Sequence, residues 1–311
     1  MNKKLLPILL AFPLLASCGT NVKKPAFKKV GDKVTFEQFK EGIEKAREEN
    51  IFFKGDELPS FQASLESKGV QQAVSKRGKQ TLREALTKST MTINSKLDVK
   101  NGVSERKQVR DDSVVLTTYL GSDSAVESTK STLVLEKLVK DNEEYAITVN
   151  EKAKYYIVSP GNKVSELNPY SKILEKDALT PFATVKALET TMLAEYQSAS
   201  EEEKARYSFY QNKQVFTVEY SYEESSEENK TSEQSTSKLQ FDLSDNEKYT
   251  VMVYSESSSH EEVLETHMDE IKGDVYEEVS KNALTLKAQK KNVTVKPVKI
   301  TDAFAEYNYN F

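Results

Sequence analysis

Long stretches of this chain alternate apolar and polar residues with a period of two, and that alternation limits its folds more than any other feature. Met91, Ile93, Leu97 and Val99 alternate with polar neighbours, interrupted at Ser95. Phe216, Val218, Tyr220 and Tyr222 share one side of a segment whose other side carries Thr217, Glu219 and Ser221. A strand so patterned has one face to bury, and its backbone must find pairing partners. Turn signals supply them locally. Lys100-Asn101-Gly102-Val103 contains the Asn-Gly pair that accepts the positive φ angles of a type I′ turn. Asp141-Asn142-Glu143 and Asp245-Asn246-Glu247 also read as turns. The expected strands cover 104–109, 114–120, 145–149 and 154–158 in the first half. In the second half they cover 214–222, 239–243, 249–253, 283–288 and 293–298. Residues 132–139 fit a strand or a short helix.

Other stretches follow the helical period. Thr35 and Gln38 form a capping box ahead of Phe36, Phe39, Ile43 and Ala46. Residues 58–88 are weakly patterned, and their apolar positions fit short helices. Pro181 stands where a helix tolerates proline best, with Val185, Leu188, Met192 and Tyr196 on one face. Ser200 and Glu203 form a second capping box. Ser258 and Glu261 predict a helix that carries Leu264, Met268, Ile271, Val275 and Val279. Breakers at Ser159-Pro160-Gly161-Asn162 and Asn168-Pro169 divide the chain. The expectation is therefore an α+β protein with modules at 33–165 and 166–311. Each would be a helix plus an antiparallel meander, a curved sheet with helical cover.

The N-terminus carries a different message. Asn2-Lys3-Lys4 precedes an apolar run from Leu5 to Leu15, then Leu15-Ala16-Ser17-Cys18-Gly19. The run is too short for a stable membrane span and has the layout of a signal peptide over residues 1–17. Leu15-Ala16-Ser17-Cys18 resembles the lipobox of bacterial lipoproteins. The resemblance implies a lipid-modified Cys18, an extracytoplasmic location at a cell membrane, and residues 18–32 as a lipidated tether. Lys23, Lys24, Lys28 and Lys29 lie close to that end, where basic residues assist attachment to an anionic surface. Cys18 is the single cysteine, so lipidation leaves neither a disulfide nor a cysteine nucleophile.

Removing Lys3 and Lys4 takes the net charge from −5 to about −7. That balance disfavours nucleic-acid binding, which needs a basic face. Catalytic signatures are missing. His260-Glu261-Glu262-Val263-Leu264 begins like a zinc-protease motif, but Leu264 stands where the second histidine belongs. His267 lies two helical turns on, too far to share an ion with His260. Gly78-Lys79 lacks the remaining glycine and hydroxyl of a phosphate loop, and no nucleophile elbow or EF-hand spacing is present. The reading is a non-enzymatic binding protein without metal or cofactor.

A curved sheet covered by a helix makes either a packed core or an apolar pocket. Phe216, Val218, Tyr220, Tyr222, Phe241 and Val253 would line its inner face, with Leu264, Met268 and Ile271 from the helix. The element order loosely resembles lipoprotein-sorting carriers and the mycobacterial lipid-binding lipoproteins, which implies a hydrophobic ligand. A protein partner, an importer's solute-binding lipoprotein and a purely structural surface module stay open. The tail Ala305-Glu306-Tyr307-Asn308-Tyr309-Asn310-Phe311 resembles the Phe-ended last strand of outer-membrane barrels. The strands before it are too polar for a lipid-facing band, so it reads as a sheet strand with one aromatic face.

Overall fold

The computed structural model describes residues 22–54, 58–101, 103–120, 123–140, 143–150, 153–159, 179–266 and 271–295. Among these residues, twelve strands join in one antiparallel sheet. They are β1 (Asp32–Val34), β2 (Phe61–Arg77), β3 (Gln80–Asp98), β4 (Val103–Leu120), β5 (Asp123–Lys140), β6 (Glu143–Asn150) and β7 (Ala153–Ser159). After the helical stretch come β8 (Tyr207–Asn212), β9 (Val215–Ser226), β10 (Thr231–Asp242), β11 (Lys248–Glu262) and β12 (Asp274–Lys290). Their spatial order is β1-β8-β9-β10-β11-β12-β2-β3-β4-β5-β6-β7. The described helices are α1 (Phe36–Glu49), α2 (Thr180–Ser198) and the single turn α3 (Glu201–Lys204).

This corrects the expected α+β fold of two modules. The two meanders exist, but β12 pairs with β2 along an unbroken register from Asp274↔Arg77 to Lys290↔Phe61. A free sheet edge exposes a row of unpaired backbone groups. Here the edges of the two meanders satisfy each other, so one mainly-β sheet replaces two units. The expected breakers at 160–169 and the aromatic tail lie outside the described residues.

Two further expectations change. Residues 58–88 form β2 and β3, not short helices. Gly78, at φ +57, supplies the left-handed position of the tight turn that leaves Arg77 opposite Gln80. The expected helix after Ser258 is replaced, among the described residues, by the end of β11, non-helical backbone at 263–266 and 271–273, and the start of β12. Its apolar stripe had no face to bury it: Leu264, Ile271 and Val279 are all exposed. Gly273, at φ +89, lets the loop turn back so that its amide donates to the Val263 carbonyl.

Helices α1 and α2 form where the capping and periodicity predict. Gln38 N donates to Thr35 Oγ1 at 3.2 Å, and Thr35 N donates to Gln38 Oε1 at 2.9 Å. Phe36, Phe39, Ile43 and Ala46 are buried on α1, and Val185, Leu188 and Met192 on α2. Both helices lie on the same face of the sheet, here called inner, near one end of its long strands. They enclose a core of Phe61, Leu65, Phe216, Phe241, Val251 and Leu286. Phe182 of α2 sits 5.5 Å from Phe52 and 5.7 Å from Phe61, ring centre to ring centre. Such contacts add to burial at the junction of helix and sheet.

The stretch before β1 lies across the outer face. Lys28 N donates to Gln240 Oε1 at 2.7 Å, and Gln240 Nε2 donates back to the Lys28 carbonyl at 3.1 Å. Lys28 also pairs with Asp242 at 2.6 Å. The described part of the expected tether is therefore strapped to β10.

Candidate functional site

The core occupies only part of the sheet's inner face. β3, with 19 residues, spans about 60 Å at the usual rise of a strand, while α2 of the same length spans about 30 Å. The strands must outrun their cover. Because side chains alternate strictly, the inner-face residues can be followed rung by rung beyond the helices.

The rung Phe216–Phe241–Val251–Leu286–Leu65–Ile93 is core. Two rungs further on, Tyr220–Ser237–Ser255–Asn282–Gly69–Ser89 replaces bulk with small polar groups. Tyr222–Ser235–Ser257–Ser280–Gln71–Thr87 follows. The next rung is Glu224–Glu233–Ser259–Glu278–Ala73–Ala85, and beyond it Glu261 faces Tyr276. Strands β9 to β12 are thus written apolar, then polar, then acidic along one face, while β2 and β3 reach the acidic rung with Ala73 and Ala85.

That uncovered end forms a cleft of about 710 Å³. Its inner-face walls include Tyr222, Tyr276, Glu224, Glu233, Glu261 and Glu278, with Arg83 on the β3 side. Tyr222 Oη donates to Glu224 Oε2. Burial first, and then this hydrogen bond, push the Tyr222 phenol up to about 12. Glu224 and Glu233 stand directly opposite each other on neighbouring strands. Like charges in that position oppose pairing, so the cleft carries a negative potential that a cation would relieve. Among the described residues, no three acidic or histidine side chains converge tightly enough to hold a metal ion.

The residues expected to line an apolar pocket separate into three groups. Phe216, Val218, Tyr220, Phe241 and Val253 are on the inner face as predicted, but they are buried in the packed region. Leu264 and Ile271 are exposed on the β11–β12 loop, and Met268 lies outside the described residues. Tyr222 alone of the set reaches the cleft. Sequence alone does not gather the acidic and hydroxyl positions into one site, because the cleft spans β9, β10, β11, β12, β2 and β3. A local signal is the alternation of Ser255, Ser257 and Ser259 continuing the side of Val251 and Val253.

The N-terminal residues 1–21, Cys18 included, lie outside the described residues. No described helix is long and apolar enough to cross a membrane.

No protein-family model matches the chain. No curated protein matches it either. Among solved structures it is similar to the translocator domain of the autotransporter NalP from Neisseria meningitidis, at 8% identity and a TM-score of 0.18, covering 80% of this chain and 94% of that one. It is also similar to OccK7 from Pseudomonas aeruginosa, at 6% identity and a TM-score of 0.19, covering 73% and 99%. The toluene transporter TodX of P. putida aligns at 6% identity and a TM-score of 0.16, covering 76% and 91%. Overlap this low carries no inference about this chain.

Proposed function

We propose that the protein is a non-enzymatic lipoprotein, held at the extracytoplasmic face of a membrane by an acylated Cys18, whose uncovered cleft binds a basic segment of a partner protein. The observation that carries the binding half is the inner-face rung of Glu224, Glu233 and Glu278 beside Tyr222 and Tyr276. Carboxylates attract lysine and arginine, and tyrosine faces accept their stems and charges. The apolar-ligand alternative has less support, since the side chains that would line its pocket are packed against one another. An importer's solute-binding protein is expected to alternate strands and helices around a parallel sheet, and this sheet is antiparallel. The anchor half rests on Leu15-Ala16-Ser17-Cys18 and its n- and h-regions.

Calorimetry with a lysine-rich peptide tests the cleft. Binding that weakens with added salt and is lost in a Glu233→Lys, Glu278→Lys variant is expected. Equal binding by that variant, or no heat with the unaltered protein, overturns the assignment. A fatty-acid probe tests the anchor: Cys18→Ala should abolish labelling and leave an unprocessed precursor.

A further inference from the structure

The outer face carries a second concavity, of about 650 Å³, between the strap at Lys23–Lys28 and strands β11, β12 and β2. Five lysines line it: Lys23, Lys24 and Lys28 from the strap, Lys68 from β2 and Lys287 from β12. The acidic side chains in its wall are Glu66 and Asp242. Asp242 is engaged by Lys28 at 2.6 Å. Lys24 lies over the Tyr254 ring, 5.3 Å from its centre. Among the described residues, Lys23, Lys68 and Lys287 enter no ion pair. A basic groove thus sits in a chain whose overall charge is −5.

We propose that this groove is the face the protein lays against the anionic phospholipid headgroups of the membrane that anchors it, an inference that rests on the lipoprotein reading. Three observations converge on a bilayer. The groove has surplus positive charge, with hydroxyls from Thr250 and Thr285 able to donate to phosphate oxygens. The strap forming one wall is the continuation of the segment that leads back to Cys18. The five steps from Cys18 to Lys23 reach at most about 18 Å, so an anchored chain keeps the groove near the headgroups. Surface potentials act over about a Debye length, roughly 8 Å at physiological salt, and a short leash brings the lysines inside that range. The groove and the acidic cleft lie on opposite faces of the sheet. Seating the groove on lipid therefore turns the cleft away from the membrane and its negative charge, toward any partner outside.

The test uses the protein isolated with its N-terminus processed, placed on vesicles of phosphatidylcholine or of phosphatidylcholine with roughly a third phosphatidylglycerol. Amine acetylation is then followed lysine by lysine. Slower labelling of Lys23, Lys68 and Lys287 on the anionic vesicles, on the order of threefold or more, is expected. Lys79, in the β2–β3 turn, should label equally on both. In a Lys68→Glu, Lys287→Glu variant, the protection of Lys23 should disappear. Equal labelling on the two vesicle types overturns the inference while leaving the anchor intact if the protein still sediments with neutral vesicles. Failure to sediment with neutral vesicles sinks the anchor; groove protection on anionic vesicles would then still support the groove, and sedimentation with neither vesicle overturns both. Protection on neutral vesicles with inorganic phosphate to the same degree would make the groove a free-anion site and overturn the lipid assignment.

Discussion

Arg47 of α1 and Glu189 of α2, 142 residues apart in sequence, meet in a two-pronged ion pair at 2.8 and 2.7 Å. Burial works to lower the Arg47 pKa, but the hydrogen bonds and charge of Glu189 hold it above its usual value. The pair clamps the two helices over the core, and Glu189 is almost fully buried. Glu189→Ala leaves a guanidinium desolvated without its counter-charge and is expected to cost about 3–5 kcal/mol. An Arg47→Met, Glu189→Leu double variant should recover most of that loss. Urea denaturation of the three proteins measures both effects, and equal loss in the single and double variants would refute the assignment of the cost to an orphaned charge.

Asp274 closes the β11–β12 loop. Its carboxylate accepts two hydrogen bonds from Arg77, both 2.8 Å, and one from Ile271 N at 3.1 Å. The Arg77 hydrogen bond is the main cause of a pKa lowered to about 2. A carboxylate with a depressed folded-state pKa stabilises the fold above its unfolded value, about 3.9, and that stabilisation fades as pH falls from about 4 to about 2. Asp274→Asn should therefore melt below the unaltered protein at neutral pH and converge with it near pH ~2. Melting curves across that range decide it: a gap that stays constant down to the lowest pH would exclude the ion pair as its source.

Gln240 is fully buried in the outer face yet serves residues far away in sequence. Its amide holds both backbone groups of Lys28 and donates to Thr217 Oγ1 at 3.0 Å. Gln240→Leu fits a similar volume but strands those groups, at a cost of about 1–3 kcal/mol. The strap should loosen first. Trypsin is expected to cut at Lys28 or Lys29 several times faster in the variant while cleavage within β9–β12 stays slow. Unchanged cutting at those two lysines would show that the strap is held by other contacts.

Much of the fold is legible locally. Thr35 and Gln38, Ser200 and Glu203, and Pro181 announce helices α1, α3 and α2, because capping and first-turn chemistry are written within four residues. The alternation at Phe216–Tyr222 and Leu239–Leu243 announces strands for the same reason. The segment after Ser258 fails differently. Leu264, Met268, Ile271, Val275 and Val279 satisfy a helical period, but periodicity helps only where a surface exists to bury the stripe. None is present among the described residues, while β10 and the returning β12 offer β11 a full ladder on both sides.

The sequence by itself determined the alternation of apolar and polar positions, the caps and the hairpin turns. Each depends on neighbours a few residues apart. Only the tertiary structure decided that β12 pairs with β2, merging two meanders into a single sheet whose strands outrun their helices. That pairing joins residues about two hundred positions apart, and nothing local encodes it. The acidic cleft and the basic groove both follow from it, since each takes its walls from strands on the two sides of that one seam.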